Sequence, residues 1–154
     1  MIHLYRGTSH YIADGIYENE NLKRPRVPKN TPSYIHEAAD NWFKNNFGIC
    51  ARSQTIFCTP CREYASSHFE SGGSLLEISL IGDTNKIIYS DEVNDFLDLI
   101  PKEAFDIKRD YIFDIAEKLS LVDYKLVRNI NEIPSSFIGE IMLFCEQYKV
   151  KNID

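Results

Sequence analysis

Short stretches of alternating apolar and polar residues recur along the chain, and this period of two is typical of half-buried strands. The pattern predicts strands at 2–6, 55–59, 74–80, 86–89, 122–127, 140–145 and 148–150. The apolar run after Glu140 predicts a strand that is buried on both faces. Gly82 and Asp83 separate two of the strands, so the sequence favours a hairpin of 74–80 with 86–89.

Apolar residues spaced three to four positions apart predict amphipathic helices between the strands. The clearest helix begins at Thr31 or Ser33, which are suitable capping residues, and ends at Gly48. Its apolar stripe consists of Ile35, Ala38, Ala39, Trp42 and Phe43. Shorter helices are predicted at about 61–70 and at 93–100. Another is predicted at 107–119, from the four-residue spacing of Ile107, Tyr111, Ile115 and Leu119.

The order of these elements predicts an α+β fold, because strands mostly follow one another and helices are inserted among them. The polar segments 18–32 and 129–139 are predicted to be long loops, which in compact domains often serve function. The length of 154 residues suits one domain that spans 1–154. With 44% hydrophobic and 26% charged residues, the composition excludes a disordered, collagen-like or coiled-coil chain.

A net charge of −6 argues against a protein that coats nucleic acid through its whole surface. The segment 23–29 departs from this balance, because Lys23, Arg24, Arg26 and Lys29 concentrate positive charge there. A solvated loop is the simplest interpretation, and a local phosphate-binding patch is the alternative. No segment has the apolar length of a membrane span and the N-terminus lacks the pattern of a signal peptide, so we expect a cytoplasmic protein without a membrane partner.

The four cysteines are expected to be free thiols in that compartment. Cys58 and Cys61 form a C-x-x-C pair and His68 follows, but a zinc site needs four ligands and the chain has no second such pair. The strand–helix–strand context of a redox C-x-x-C is not evident either. The sequence therefore predicts no metal site.

Polar or charged side chains that could take part in catalysis lie at the ends of three predicted strands. The segments that hold them are LYRGT at 4–8, IFCTP at 56–60 and GEIML at 139–143. Arg6 closes the first strand, and Thr59 closes a middle strand before a helix that contains Ala65. Glu140 opens a late apolar strand. The order and context of these segments resemble the ADP-ribosyltransferase superfamily, in its Arg, Ser/Thr and Glu form, over nearly the whole chain. The resemblance implies one α+β domain with two mostly antiparallel sheets and inserted helices.

The resemblance implies an enzyme that uses NAD as co-substrate and breaks the nicotinamide–ribose bond. Nicotinamide leaves as a neutral group, so positive charge develops on the ribose and a carboxylate is expected to stabilise it. Glu140 matches that carboxylate, Thr59 the hydroxyl that orients it, and Arg6 the group that grips the diphosphate. Phe57 or Tyr64 is expected to stack on nicotinamide. The residues expected to bind NAD are Arg6, Gly7, Thr8, Phe57, Tyr64 and Arg52.

Three positions depart from the pattern of that superfamily. Cys58 and Pro60 stand where hydroxyl residues flank the central Thr, so the supporting hydroxyl is Thr59, Ser53 or Thr55. Ile138 stands two residues before Glu140, where arginine- and asparagine-modifying members carry Glu or Gln. An apolar residue cannot activate such a side chain, so the acceptor stays open between another protein side chain and a nucleic-acid base.

The leading hypothesis is a mono-ADP-ribosyltransferase that modifies a macromolecule, of the kind found in toxins, effectors and phage-type modifiers, with a possible antitoxin or immunity protein as partner. A second hypothesis is a toxin that hydrolyses NAD without an acceptor. A third is a non-catalytic binding or inhibitory protein that acts through its acidic surface. An unrelated small enzyme such as a nuclease completes the set.

Overall fold

The computed structural model describes residues 2–67, 72–106 and 111–154, which form two antiparallel four-stranded sheets and four short helices. The strands are β1 (Leu4–Thr8), β2 (Gly15–Glu18), β3 (Ile56–Cys58), β4 (Ser74–Leu80), β5 (Lys86–Tyr89), β6 (Lys125–Val127), β7 (Ile141–Phe144) and β8 (Gln147–Asn152). The helices are α1 (Ser33–Phe47), α2 (Ala51–Gln54), α3 (Arg62–Ser66) and α4 (Ile115–Leu119). Single 3-10 turns lie at Glu20–Leu22, Phe96–Leu99, Lys102–Phe105 and Ile130–Glu132.

The strand order is β1-β4-β8-β2 in the first sheet and β3-β7-β5-β6 in the second. Apolar residues of both sheets pack into one cluster, including Leu76 and Val150 from the first sheet and Ile87 and Leu143 from the second. The opposite face of the second sheet packs against α1, α4 and the 3-10 turns. β7 is therefore covered on both sides, which confirms the prediction from its continuous apolar run. The predicted α+β class and two antiparallel sheets are confirmed.

β1 and β3 join the two sheets at one point. The amide of Tyr5 donates to the carbonyl of Thr59 at 2.8 Å, and the amide of Thr59 donates back to Tyr5 at 3.0 Å. This single antiparallel bridge ties the first sheet to the end of β3 in the second. Arg6, which follows Tyr5 in β1, consequently lies close to the end of β3.

The predicted hairpin between β4 and β5 is wrong. β4 pairs with β1 and β8, whereas β5 pairs with β7 and β6 in the other sheet. The link between them crosses from sheet to sheet, with Gly82 at φ 76° and the side-chain Nδ2 of Asn85 donating to the carbonyls of Ile81 and Gly82. Within the second sheet, Ile87 packs between the two sheets and Ile88 packs against the helices, so both faces of β5 are buried.

The predicted helix at 107–119 is wrong over the part that the structure describes before residue 115; residues 107–110 lie outside the described residues. Asp114 caps α4, because its carboxylate accepts the amide of Glu117 at 3.2 Å. The hydroxyl of Tyr34 accepts the amide of Phe113 at 3.1 Å, which holds the preceding segment in a non-helical path. Tyr111 is consequently exposed and not part of an apolar stripe.

α1 follows the sequence prediction closely. Ile35, Ala39 and Phe43 are fully buried. Gly48 ends the helix with φ 77°, and its backbone amide donates to the carbonyl of Lys44. The helix begins after Pro32, with no side-chain cap from Thr31 or Ser33. β2 and α2 had no counterpart among the predicted elements. Within the described residues, no helix combines the length and apolar character needed to cross a bilayer.

Candidate functional site

A cleft with two lobes opens where β1, β3 and the start of β7 meet. The first lobe has a volume of about 200 Å³ and reaches from Gly7 to Ala65. The second lobe has a volume of about 340 Å³ and extends along the segment 26–31. Four residues line both lobes and mark their junction: Arg6, Phe57, Tyr64 and Glu140. The structure thus brings together three segments that lie far apart in the sequence.

Arg6 is the cationic group on the β1 side of this junction. Its Nη1 donates to the carbonyl of Phe57 at 3.0 Å, which fixes the side chain across the gap between the two sheets. Gly7 follows in β1 and lines the first lobe. Thr8 belongs to neither lobe, because it is buried and its hydroxyl donates to the carbonyls of His10 and Ser74. Thr8 therefore connects β1 to β4. The sequence predicted that Thr8 binds NAD, but the structure places it outside the cleft.

Glu140 lies at the start of β7 with its carboxylate mostly buried. Its Oε1 accepts from Nη1 of Arg52 at 2.6 Å, and the two side chains are 14% and 8% exposed. The amide of Glu140 donates to the carbonyl of Asn94 at 2.8 Å, so the backbone is anchored as well. Gly139 explains how the chain enters this position: a Cβ there would meet the Cα of Asn94 at 2.7 Å and the ring of Phe137 at 2.8 Å. Only glycine fits this close approach.

The guanidinium of Arg52 is enclosed by aromatic rings, a methionine and a carboxylate. A side chain that binds phosphate would instead present its N–H groups to the ligand. Its guanidinium lies 4.2 Å from the ring centre of Phe57 and 4.1 Å from that of Phe96. Nη1 also contacts Sδ of Met142 at 3.4 Å. The backbone amide donates to Asp40 at 2.8 Å. The sequence predicted that Arg52 binds NAD; the structure shows it as the direct partner of Glu140. No sequence signal marked this pairing, because α2 was not among the predicted elements.

The hydroxyls proposed as supports for Glu140 are engaged elsewhere. Thr59 Oγ1 donates to the carbonyl of Ile138 at 3.2 Å and accepts the amide of Cys61 at 3.1 Å. Ser53 Oγ donates to Cys50, and Thr55 Oγ1 donates to Ala51. Thr59 still lines the first lobe, but its hydroxyl binds the turn before Glu140 instead of the carboxylate.

Tyr64 forms the wall of the cleft on α3. Its hydroxyl donates to Oδ2 of Asp95 at 2.7 Å, and Oδ1 of Asp95 accepts the amide of Leu97 at 2.9 Å. Burial, followed by this hydrogen bond, raises the pKa of Tyr64 far above its ordinary value. The phenol is therefore a neutral donor at physiological pH. Asp95 was missed in the sequence, where Asp before Phe96 and Leu97 signals only a helical cap.

The ring of Phe57 is covered by cationic groups. The guanidinium carbon of Arg26 lies 3.7 Å from its centre, in addition to Arg52 at 4.2 Å. Stacking of a planar ligand on Phe57 would have to displace one of these contacts. The predicted stacking role of Phe57 therefore competes with two arginines. Arg26 itself extends from the loop 18–32 into the second lobe.

The basic segment 23–29 divides into two kinds of residue. Arg26 and Lys29 line the second lobe, whereas Lys23 and Arg24 are exposed and line neither lobe. Lys23 pairs with Glu18 on the surface at 3.0 Å. The segment is therefore partly a solvated loop and partly a wall of the cleft.

The cysteines lie apart from this chemistry. Cys58 and Cys145 are buried, and burial raises their pKa values to about 12 and about 11. Cys50 and Cys61 are partly exposed free thiols. Across the described part of the chain, no group of three or more His, Cys, Asp or Glu residues is arranged to hold a metal ion. His68 lies outside the described residues.

No family model, curated protein or solved structure matches this chain. The chemistry of the cleft therefore has to be argued from its own groups. A buried, oriented carboxylate stabilises positive charge that develops beside it, arginines hold an anion by charge-assisted bonds, and an aromatic side chain adds apolar lining. These groups converge at the junction of the two lobes.

Proposed function

We propose that this protein is a mono-ADP-ribosyltransferase, which cleaves NAD between nicotinamide and ribose and transfers ADP-ribose to a macromolecular acceptor. The observation that carries the proposal is the convergence of Arg6, Tyr64 and Glu140 on one cleft from three separate segments. The resemblance of the sequence segments at 4–8, 56–60 and 139–143 supports the same reaction independently of the side-chain contacts.

The dimensions and lining of the cleft suit such a dinucleotide. The first lobe, at about 200 Å³, accommodates a single planar ring but not a whole dinucleotide. The second lobe adds about 340 Å³, so the joined cleft falls within the range of small-molecule sites, about 300–1,000 Å³. The apolar wall of the first lobe and the arginines of the second lobe match the two chemically different ends of NAD. NAD supplies the glycosidic bond that is broken.

Each side chain has a role that follows from its contacts. Tyr64 presents its ring to nicotinamide, and its bond to Asp95 at 2.7 Å fixes the orientation of that ring. Gly7 lets the carboxamide approach the backbone of β1. Glu140 stabilises the positive charge on the ribose as the neutral nicotinamide departs with the bonding electrons. Arg6 neutralises phosphate charge through N–H groups that its bond to Phe57 leaves available.

A nucleophilic atom of the acceptor forms a bond to the ribose carbon that nicotinamide leaves. The proton of that nucleophile passes to solvent or to a carboxylate. Ile138, which precedes Glu140 by two residues, is 56% exposed and offers no polar group to an arginine or asparagine acceptor. We therefore propose another protein side chain or a nucleic-acid base as acceptor. A cytoplasmic toxin, effector or phage-type modifier, inhibited by an antitoxin or immunity protein, is the setting in which such a small transferase acts.

The test is incubation of the full chain with NAD labelled in its adenosine half and a cell extract. We expect free nicotinamide and label bound to a macromolecule, and nuclease or protease treatment then identifies the acceptor class. Glu140→Gln should lower the rate by about 10²–10³-fold, the effect of removing one electrostatic stabiliser. Glu146→Gln is the matched control, since Glu146 is exposed and lines neither lobe.

Each other outcome contradicts a defined part of the proposal. Nicotinamide release without label on a macromolecule would overturn transfer and select the NAD-hydrolysing toxin. No release of nicotinamide from the wild-type chain would overturn both NAD reactions and leave the non-catalytic binding protein or an unrelated enzyme. Equal rates for Glu140→Gln and Glu146→Gln would show that Glu140 does not act in the reaction.

A further inference from the structure

Three guanidinium groups line the second lobe, and their charge is not balanced. Arg6, Arg26 and Arg52 all face this lobe. Among the described residues, Arg52 forms a salt bridge with Glu140, whereas neither Arg6 nor Arg26 forms one with any carboxylate. Arg6 donates to the carbonyl of Phe57 instead. A carbonyl satisfies an N–H group but does not neutralise a full positive charge. Asp95 is a second carboxylate in the lining and accepts from Tyr64, so Arg6, Arg26 and Lys29 together still leave the wall with excess positive charge.

Arg26 shows the consequence of this imbalance most clearly. Burial and, after it, repulsion from Arg6 and Arg52 lower its pKa to about 10, and the opposing attraction of Glu140 and Asp40 does not offset them. The charged form is thus held in an unfavourable environment. An anion in the lobe would remove that penalty, because it would supply the missing countercharge at short range in a partly desolvated site.

Arg26 is also fixed in one position. Its Nη1 donates to the carbonyl of Arg52 at 2.7 Å and its Nη2 to that of Thr55 at 2.6 Å. Its backbone amide donates to Ser53 at 2.9 Å, and the guanidinium lies against Phe57. These contacts use only part of the N–H groups of a guanidinium. A ligand that binds the remainder does not have to order the side chain, which favours binding.

The size and rim of the lobe indicate what kind of anion it holds. A volume of about 340 Å³ exceeds that of a single phosphate and suits a phosphate with an attached sugar or base. Asn30 and Thr31 add polar groups at the rim, and Lys29 adds a further positive charge. His36 also lines the lobe, and burial, together with nearby guanidinium groups, lowers its pKa, so it contributes a neutral imidazole at pH 7.

We propose that the second lobe binds the phosphate groups of a nucleotide, with Arg26 as the principal ligand and Arg6 and Lys29 as supporting cations. The binding site rests on the charges and contacts above; only the choice of nucleotide rests on the proposed function. Two sources supply this chemistry, namely the ADP half of NAD and the phosphodiester backbone of a nucleic-acid acceptor. Arg26 belongs to none of the three motif segments.

The test is binding of two probes to the full chain, measured by calorimetry at low salt. The probes are ADP and a single-stranded oligonucleotide without terminal phosphates. Arg26→Gln should weaken binding by about tenfold or more, as expected for the loss of charge-assisted bonds. Arg24→Gln removes the same charge from the same loop, outside the cleft, and should change affinity by less than about twofold.

A second variant keeps the test decisive if Arg26→Gln fails to fold. Lys29 is exposed and lines the lobe, so Lys29→Gln should fold normally and weaken binding by about threefold. Binding of ADP alone assigns the lobe to the co-substrate, and binding of the oligonucleotide alone assigns it to the acceptor. Binding of neither probe, or equal loss in Arg24→Gln, overturns the proposal. These binding measurements do not depend on NAD cleavage. Loss of the proposed phosphate site would leave the transferase proposal standing, and absence of NAD cleavage would leave the phosphate site standing.

Discussion

Nη1 of Arg52 lies 2.6 Å from Oε1 of Glu140, and both side chains are almost excluded from solvent. Arg52 comes from α2 and Glu140 from the start of β7, so this pair connects a short helix to the second sheet. Asp40 holds the backbone of Arg52, and Phe57 and Phe96 hold its guanidinium. In this protein an arginine therefore fixes the carboxylate that a hydroxyl was expected to orient.

Replacing Arg52 should reduce both stability and NAD cleavage. Arg52→Met leaves the buried carboxylate unpaired, which costs about 3–5 kcal/mol of unfolding free energy. Arg52→Lys keeps the charge but loses the flat stacking on Phe57 and Phe96, so its loss should be smaller. Urea unfolding measures the stability, and nicotinamide release measures kcat and KM.

The role of Arg52 as a positioning residue predicts that kcat falls more than KM rises. In a double-mutant cycle, Arg52→Lys should have little further effect once Glu140 is Gln, because the two residues act as a unit. Arg52 would be a purely structural residue if both single effects simply added. Arg24→Lys makes the same exchange at an exposed position and is the control for effects unrelated to the cleft.

Gly139→Ala should disrupt the approach to Glu140. The added methyl group would lie 2.7 Å from the Cα of Asn94 and 2.9 Å from the carbonyl of Val93, and backbone atoms cannot move aside cheaply. We expect a loss of about 1–3 kcal/mol of stability from overpacking, together with a lower rate because Glu140 shifts. Gly72→Ala, where no atom lies within 4 Å of the added carbon, is a control for methyl addition, although its φ of 84° adds backbone strain. Unchanged activity in folded Gly139→Ala would contradict the expected displacement of Glu140.

The hydroxyl of Thr59 should matter for stability more than for catalysis. Thr59→Val leaves the carbonyl of Ile138 and the amide of Cys61 without their partner, which costs about 1–3 kcal/mol. Thr59→Ser retains the hydroxyl and should restore most of that stability. Thermal unfolding and nicotinamide release are measured on both variants. A loss of rate as large as that of Glu140→Gln in a folded Thr59→Val would instead support direct contact with the carboxylate.

Tyr64→Phe should weaken NAD binding while leaving the ring in the cleft. The variant removes only the hydroxyl that Asp95 accepts at 2.7 Å, so the ring loses its fixed orientation. We expect KM for NAD to rise about threefold to tenfold, which is within the range of one ordinary hydrogen bond, because the bond to Asp95 acts on NAD only through the position of the ring. Tyr64→Leu removes the aromatic surface too and should raise KM further. Equal KM values for Tyr64→Phe and Tyr64→Leu would contradict a stacking role.

The buried thiols predict a loss of stability in alkaline solution. The pKa of Cys58 is raised from 9.0 to about 12 in the folded protein, so folding favours the protonated thiol. This contribution is fully present below pH 9 and is lost as the pH rises towards 12. Urea unfolding between pH 8 and 11 should show a steeper loss for the wild-type chain than for Cys58→Ala. The same burial predicts slow reaction of Cys58 and Cys145 with a thiol reagent at pH 8, and fast reaction after denaturation.

Local pattern was enough to predict most strands and the main helix. The apolar run at 141–144 predicts a strand buried on both faces, and β7 has that burial. The stripe from Ile35 to Phe43 and the stop at Gly48 predict α1 within a residue or two. These features depend on residues next to one another in the chain, where hydrophobic period and turn chemistry act directly.

Predictions failed where a distant residue decided the outcome. The pairing of β4 depends on β1 and β8, not on the nearby β5. The non-helical path before α4 depends on the hydroxyl of Tyr34, which lies 79 positions from Phe113. Such contacts leave no periodic signal in the sequence, so pattern analysis favours the local alternative.

The cleft shows the same contrast between local sequence signals and long-range contacts. The sequence alone determined that Thr59 stands just after β3 and Glu140 just before β7, because Pro60 and Gly139 mark those strand ends. It ended the first strand too early, since β1 continues to Thr8 and Arg6 lies inside it. Only the tertiary structure decided their partners. Arg52 reaches Glu140 across 88 positions, and Arg26 packs on Phe57 from a separate loop. Ion pairs and ring contacts depend on distances in space, and those are set by how the two sheets join at Tyr5 and Thr59.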